Sequence, residues 1–451
     1  MKKYLLLVLA ACWAVQSTYA QPAPAANGPL QSGPMVGYSD FREVLLWAQT
    51  NRPATVKFWF WEEGKPASRR ATDEVRTEAA TAFVAKIPAS DLTPGKRYEY
   101  EVWVDGKKVA RPYPLQFQTQ TLWQWRTDPP AFRFAVGSCA YVNEPDFDRP
   151  GTPYGDKYRI FTAIAAQKPA FMLWTGDNTY TREVDWNTRS GVLHRYTHTR
   201  SLPEMQPLLG AAHHYATWDD HDYGPNDSDR SYWLKRTTLD IFKLFWGNPN
   251  YIFEKKGVTG TFQWADCQFF LLDDRWWRSP NELKQEPREY LGKKQLDWLI
   301  DALAASTAPF KFVVVGGQVS NPAAVFENYA NYAEERAELF RRITAANVPG
   351  VLFLTGDRHH SALWKQERFG TYPLYDVTIS PLTSGAGPWQ KSEAAIAQFP
   401  ETLVAEQNFG LFEVSGPLAD RLLKITCLNA DGQTKWTKEF RASELRTETK
   451  K

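Results

Sequence analysis

Five apolar runs in this chain stop abruptly at residues that bind metal or organise charge, and no other feature constrains its fold as much. They are Phe134-Ala-Val-Gly-Ser-Cys139, Phe171-Met-Leu-Trp-Thr-Gly-Asp177, Tyr215-Ala-Thr-Trp-Asp-Asp220-His221-Asp222, Val313-Val-Val-Gly-Gly-Gln318 and Val351-Leu-Phe-Leu-Thr-Gly-Asp357-Arg358-His359-His360. A mostly parallel sheet carries the carboxyl ends of such strands to one edge, where open α/β folds place their ligands. Glycines at 137, 176, 316, 317 and 356 permit close backbone approach just before the polar groups. A single Gly-Asp pair is usually a turn, but Trp-Thr-Gly-Asp177 and Leu-Thr-Gly-Asp357 are nearly matched copies.

Between these strands lie helical patterns at Lys157–Gln167, Leu234–Phe245, Leu291–Ala305 and Ala333–Ala346. The alternation predicts a layered α/β domain over residues 131–440, with Tyr375–Ser380, Phe409–Val414 and Leu422–Leu428 extending its sheets. Upstream, Glu43–Ala48, Thr55–Trp61, Thr81–Ile87 and Tyr98–Val104 have the alternation of half-buried strands, and Asp105-Gly106 has the composition of a tight hairpin turn. These predict a small all-β sandwich over residues 35–120, joined by a connector from Thr121 to Pro130. Residues 21–34, rich in Pro, Gly, Ala and Gln, read as a flexible leader.

The first twenty residues have a short cationic end, an apolar run too brief for a mature transmembrane helix, and small residues at Thr18 and Ala20. They read as a secretion signal, placing the mature protein in the periplasm or outside the cell. Leu9-Ala10-Ala11-Cys12 offers the alternative of a lipid anchor at Cys12. Removing this segment takes away Lys2 and Lys3 and no acid, which leaves the mature chain formally neutral. That balance argues against nucleic-acid binding through bulk charge. Cys139, Cys267 and Cys427 remain, an odd number without any CxxC, so a zinc knuckle has no support and at least one thiol needs burial or metal ligation.

In order and spacing, Gly-Ser-Cys139, Gly-Asp177-Asn178-Thr-Tyr180, Trp-Asp-Asp220-His221-Asp-Tyr-Gly-Pro-Asn-Asp227 and Gly-Asp357-Arg358-His359 resemble the alkaline phosphatase D family, a branch of the calcineurin-like metallophosphoesterases. The resemblance runs over about residues 35–430 and implies a metallophosphoesterase-type layered α/β fold and hydrolysis of phosphate esters at two metal ions. It implies Cys139, Asp177, Tyr180 and His359 as ligands of the first ion, a set compatible with ferric iron, with zinc or manganese as alternatives. For the second ion it implies Asp177 as a bridge with Asp220 and Asp357, and Gln318, near a position where many relatives use histidine, is expected as an extra ligand through its carbonyl oxygen or as an anchor for bound water. An oxygen-rich set suits calcium, with manganese or magnesium as alternatives.

Two cations about 4 Å apart would neutralise phosphate oxygens and activate a water for in-line attack, which makes Cys139 a ligand and not a covalent nucleophile. His221 is assigned to the phosphoryl oxygen and the departing alkoxide, Asn178 to substrate or water, and Arg358 to phosphate attraction, with a salt-bridged role as an equal alternative for Arg358. Asp219 and Asp222 are expected to face solvent or orient donors, His213, His214 and His360 are candidate supporting donors, and Arg275 is expected to fix carboxylates. The expected activity is then an alkaline-phosphatase-like phosphomonoesterase or phosphodiesterase acting on a small phosphate ester, with a phospholipase-like phosphodiesterase acting on a phospholipid as the alternative. A different class, a cell-surface or carbohydrate-binding protein, would use Trp59 and Trp61 as contacts, although alternating Trp residues are more often sandwich core.

Overall fold

In the computed structural model, which describes residues 28–285 and 287–447, the chain forms three sheets with flanking helices. The proposed signal, residues 1–20, lies outside the described residues. One nine-stranded sheet has at its centre the parallel strands Phe132–Gly137, Phe171–Thr175 and His213–Thr217. A six-stranded sheet is built on the parallel strands Cys267–Leu271, Lys311–Val314, Val351–Thr355 and Leu374–Thr378. The two sheets are joined by an aromatic core. Phe134 stacks on Phe171 at 4.8 Å and on Phe412 at 5.0 Å within its own sheet. Across the interface it meets Phe269 edge-on at 5.3 Å and Phe312 at 5.5 Å. Rings of this size interdigitate at native density and fix how one sheet sits on the other.

The helices Ile160–Ala166, Lys235–Phe245, Lys293–Ala305 and Ala333–Ala345 stand where the apolar periodicity predicts them. The helix Arg189–Arg200, the hairpin Gly260–Trp264/Cys267–Leu271 and the outer strands Ala362–Gln366 and Thr434–Arg441 were not read from the sequence.

The expected leader is corrected over its last residues. Leu30–Ser39 is a strand of the nine-stranded sheet and pairs in parallel with His213–Thr217, Val36 opposite His213. With Val44–Thr50 and Val84–Ala89 it forms the far end of that sheet. A third sheet, centred on Thr55–Glu62 and Arg97–Val104, packs on it through Val36, Val44, Leu46, Phe58, Phe60, Tyr100 and Val102. The two-layered β unit therefore shares a layer with the rest of the protein, because its first strand continues the large sheet by parallel pairing. Asp105 and Gly106 both adopt positive φ (48° and 75°), as a primed two-residue hairpin turn requires.

Trp59 and Trp61 are also corrected as core residues. Val56, Phe58 and Phe60 take the buried side of their strand, and the two tryptophans lie half-buried on the other. The Arg69 guanidinium lies 4.1 Å from the Trp59 ring centroid, and the Trp61 indole donates to Glu99. The ring face of Trp59 on which a sugar would stack is thus occupied by a cation. Among the described residues no helix is long and apolar enough to cross a membrane.

Candidate metal centre

Both large sheets deliver their strand ends to one place. The nine-stranded sheet brings Cys139, Asp177 and the Asp219–Asp222 turn, and the six-stranded sheet brings Gly316–Gln318 and Asp357–His359. Glycine makes the approach possible. A Cβ on Gly356 would lie 2.5 Å from Ser138 Oγ and 2.9 Å from the Thr175 carbonyl, and one on Gly316 would lie 2.6 Å from Asp219 Cγ. Four of the residues expected as ligands hold left-handed backbone: Cys139 (φ 59°), Asp177 (52°), Asp357 (66°) and His359 (55°). Such conformations cost about 1–3 kcal/mol each and concentrate at functional sites, where the surrounding structure enforces them.

The first donor set converges. One ligand atom each from Cys139, Asp177 and His359 lies within 4.8 Å of the others, and Tyr180 Oη is 3.2 Å from His359 Nε2. Burial pushes the Cys139 thiol up to about 12, burial and then repulsion by Asp220 raise Asp177, and burial raises the Tyr180 phenol. Burial also lowers His359 to about 4. The protein alone therefore disfavours charge on all four groups, and a cation at their focus would reverse the cost for thiolate, carboxylate and phenolate. Sulfur, nitrogen and two oxygens in a buried pocket fit a transition metal.

A second cluster joins Asp177, Asp220 and His221, and a third joins Asp220, Asp227 and Glu327. Asp177 and Asp220 thus connect the whole array. The backbone N–H of His221 donates to Asp177 Oδ1 (3.2 Å) and Asp220 Oδ1 (2.9 Å), its ring lies 4.2 Å from the Tyr180 ring, and its buried Nδ1 has no partner in the protein. Asp357 Oδ2 is likewise buried without a partner, and burial, then Glu327, push its carboxyl up to about 7. Orphaned buried acceptors of this kind suit cation ligation.

The remaining expected residues divide. Asn178 is tied to the Thr217 carbonyl through Nδ2 (2.7 Å), which leaves its buried Oδ1 unpartnered. Asp219 and Asp222 do not face solvent. Both are fully buried; Asp219 caps the short helix Asp220–Tyr223 and accepts from Arg275, and Asp222 accepts from the N–H groups of Asn178 and Asp219.

Gln318 is turned into a polar network. Its oxygen accepts from Asn321 Nδ2 (2.8 Å) and Arg358 Nη1 (3.5 Å), which leaves little for a cation. Arg358 is ion-paired with Glu393 through two 2.9 Å contacts, so the salt-bridged alternative replaces phosphate attraction. His213 and His214 sit at the opposite end of their strand, bonded to Gly37 and Gln118, and to Trp174 and Leu208. They hold the fold together and are not supporting donors. His360 is buried, and neither of its ring nitrogens has a side-chain hydrogen bond.

Three residues escaped the sequence reading. Asp227 lies inside a quoted motif, which was a usable signal, whereas Glu327 and Tyr154 sit in loops without any pattern. Tyr154 Oη lies 2.9 Å from His359 Nδ1, where it can fix the ring so that Nε2 faces the donor set. Tyr154→Phe should weaken metal retention about tenfold in a chelator-competition titration while far-ultraviolet circular dichroism stays the same. Equal retention would remove Tyr154 from this role.

The relatives share this architecture. A family model described as PhoD-like phosphatase matches residues 253–416, and one described as a domain of unknown function, DUF7800, matches residues 27–122. Alkaline phosphatase D of Bacillus subtilis (strain 168) is 22% identical over 358 residues, 67% of this chain. The chain is thus similar to alkaline phosphatase D, and its residues 253–416 match the PhoD-like phosphatase model. Its match spans 58% of the length of the Bacillus relative. A solved structure of PhoD superposes with a TM-score of 0.72 at 17% identity, covering 94% of this chain and 92% of that one. Purple acid phosphatase PPD1 from yellow lupin (Lupinus luteus) seeds gives 0.64 at 11% identity, covering 90% and 74%. These two likenesses establish a metallophosphoesterase-type α/β fold.

Proposed function

We propose that the protein is a metal-dependent hydrolase of phosphate esters, carried by one observation: Asp177 is shared by two adjacent groups of ligand-type side chains at the meeting edge of two sheets. The match of residues 253–416 to the PhoD-like phosphatase model and the similarity to alkaline phosphatase D support the same reading. Cys139, Asp177, Tyr180 and His359 would hold the first ion, iron(III) by the three anionic donors of the set, with zinc or manganese as alternatives. Asp177, Asp220 and Asp357 would hold the second, calcium by its oxygen donors, with manganese or magnesium as alternatives. When bound, such ions neutralise phosphate oxygens and lower the pKa of water.

The chain's own residues do the rest. His221 belongs to the group with Asp177 and Asp220 and is fixed through its backbone and against the Tyr180 ring, where its imidazole can meet the phosphoryl oxygen and give a proton to the leaving group. Burial holds that imidazole towards neutrality, and the charge of a bound phosphate would raise its proton affinity. Asn178 Oδ1 is positioned to orient water or substrate. Export to the periplasm or beyond, with a lipid anchor at Cys12 as the alternative, belongs to this reading on the strength of residues 1–20.

The test uses full-length protein stripped with a chelator and reloaded singly and in pairs with iron, calcium, manganese and zinc. Hydrolysis of p-nitrophenyl phosphate, its bis ester and a phospholipid would be read against metal bound per mole. Activity should vanish on stripping and return in proportion to bound metal. Undiminished hydrolysis by the stripped protein would overturn the reading, and a preference for the phospholipid under matched loading would move the substrate to large diesters.

A further inference from the structure

Two aromatic rings stand at the edge of the donor array, Phe326 largely and Tyr154 partly in solvent. Phe326 is 65% exposed and holds a left-handed backbone (φ 46°), strained for so bulky a side chain. It directly precedes Glu327, whose carboxylate joins those of Asp220 and Asp227. Its ring lies 4.7 Å from the guanidinium of Arg358, the residue after Asp357. Tyr154 is 43% exposed, and its ring lies 5.9 Å from that of His359. Arg358 and His359 are consecutive, so the two rings are fastened to neighbouring residues of the loop that carries Asp357. Arg358 is neutralised by Glu393 and brings no free charge to this surface. It supports the Phe326 ring and leaves the outer face to a ligand.

We propose that Phe326, together with Tyr154, forms an aromatic wall that selects phosphate esters whose leaving group is flat and apolar, such as a phenyl ring. This rests on the phosphoesterase reading and names its substrate class. The physical basis is simple: a flat ring laid on an exposed ring removes apolar area from both, and stacked or edge-on contact adds to that. An alkyl group with one carbon cannot cover the wall.

Metal-loaded full-length protein would be titrated calorimetrically with phenylphosphonate and with methylphosphonate, neither of which can be hydrolysed at an ester bond. The wild type should bind the phenyl compound about tenfold more tightly, and Phe326→Ala should compress that ratio to about twofold. Phe326→Leu keeps apolar bulk without a flat face and should give a ratio near that of Ala. A wild-type ratio near one, no measurable binding of either compound, or a ratio unchanged by both substitutions would overturn the proposal. A lowered melting temperature with an unchanged ratio would do the same, since it would mean that the ring only shields the Arg358–Glu393 pair. Clear discrimination without any hydrolysis of phenyl phosphate would sink the phosphoesterase reading and leave the wall standing.

Discussion

Asp177→Asn should lower kcat/KM for any hydrolysed ester by about 10³-fold or more, and metal content per chain should fall with it. The size follows from position. Asp177 belongs both to the Cys139–His359 group and to the Asp220–His221 group, so the loss of its charge weakens both sites together. A thousandfold loss corresponds to about 4 kcal/mol, within the range of charge stabilisation that bound cations supply. Asn preserves the oxygen that accepts from the His221 N–H, which guards the fold. Stability should move the other way. Burial and the neighbouring Asp220 raise the carboxyl of Asp177, so in metal-free protein its ionisation is a cost at neutral pH. A raised carboxylate contributes stability only below its unfolded pKa and loses it as pH rises, so the neutral amide should leave the stripped protein equally stable or more stable at pH 7. Steady-state kinetics, elemental analysis and melting curves check the three parts. Unchanged metal content and turnover in the folded variant would reject the assignment.

Arg275→Met should destabilise the protein by about 3–5 kcal/mol, read from urea unfolding at pH 7. The guanidinium is fully buried and reaches Asp219, Asp274 at 3.7 Å, and Glu327 at 2.8 Å. Removing it strands carboxylates in a medium that cannot solvate them. The pH dependence has a definite sign. Burial opposes ionisation of Glu327, but Arg275 and Arg278 outweigh it and hold that carboxyl below its ordinary value. A lowered carboxylate contributes stability above its unfolded pKa and loses it as pH falls. The difference between wild type and variant should therefore be greatest near neutrality and narrow below about pH 4.5, the ordinary glutamate range. An equal gap at pH 7 and pH 4 would show that Arg275 acts by packing alone.

The parts of the molecule legible in the sequence are those in which a local pattern and a global role coincide. The run Val351–Thr355 is apolar because its strand is buried on both sides, and its abrupt end at Gly356-Asp357 marks the sheet edge, so strand and site are announced together. The helix Arg189–Arg200 gave no such signal. The face it buries includes Arg195, Thr199 and Arg200, and Arg195 is paired with Asp185 at 2.7 Å and Glu144 at 2.9 Å, which replaces apolar periodicity by ion pairing. The ligand-type residues at strand ends could be picked out for the same reason as the strands. Arg358 and Gln318 were harder, because each has the right chemistry at the right strand end and only the packed structure shows that Glu393 and Asn321 occupy them. Glu327 is the converse case: a loop glutamate becomes notable only when two arginines far away in the chain arrive beside it.

The ligand-type groups come from two different sheets, and neither sheet can assemble the array by itself. A cation held at their focus would work as a rivet between layers, and its grip would measure how well the aromatic seam behind it is closed. Loosening that seam anywhere along its length, even at Phe134 or Phe269, would be felt as weaker ion retention before the strands themselves came apart.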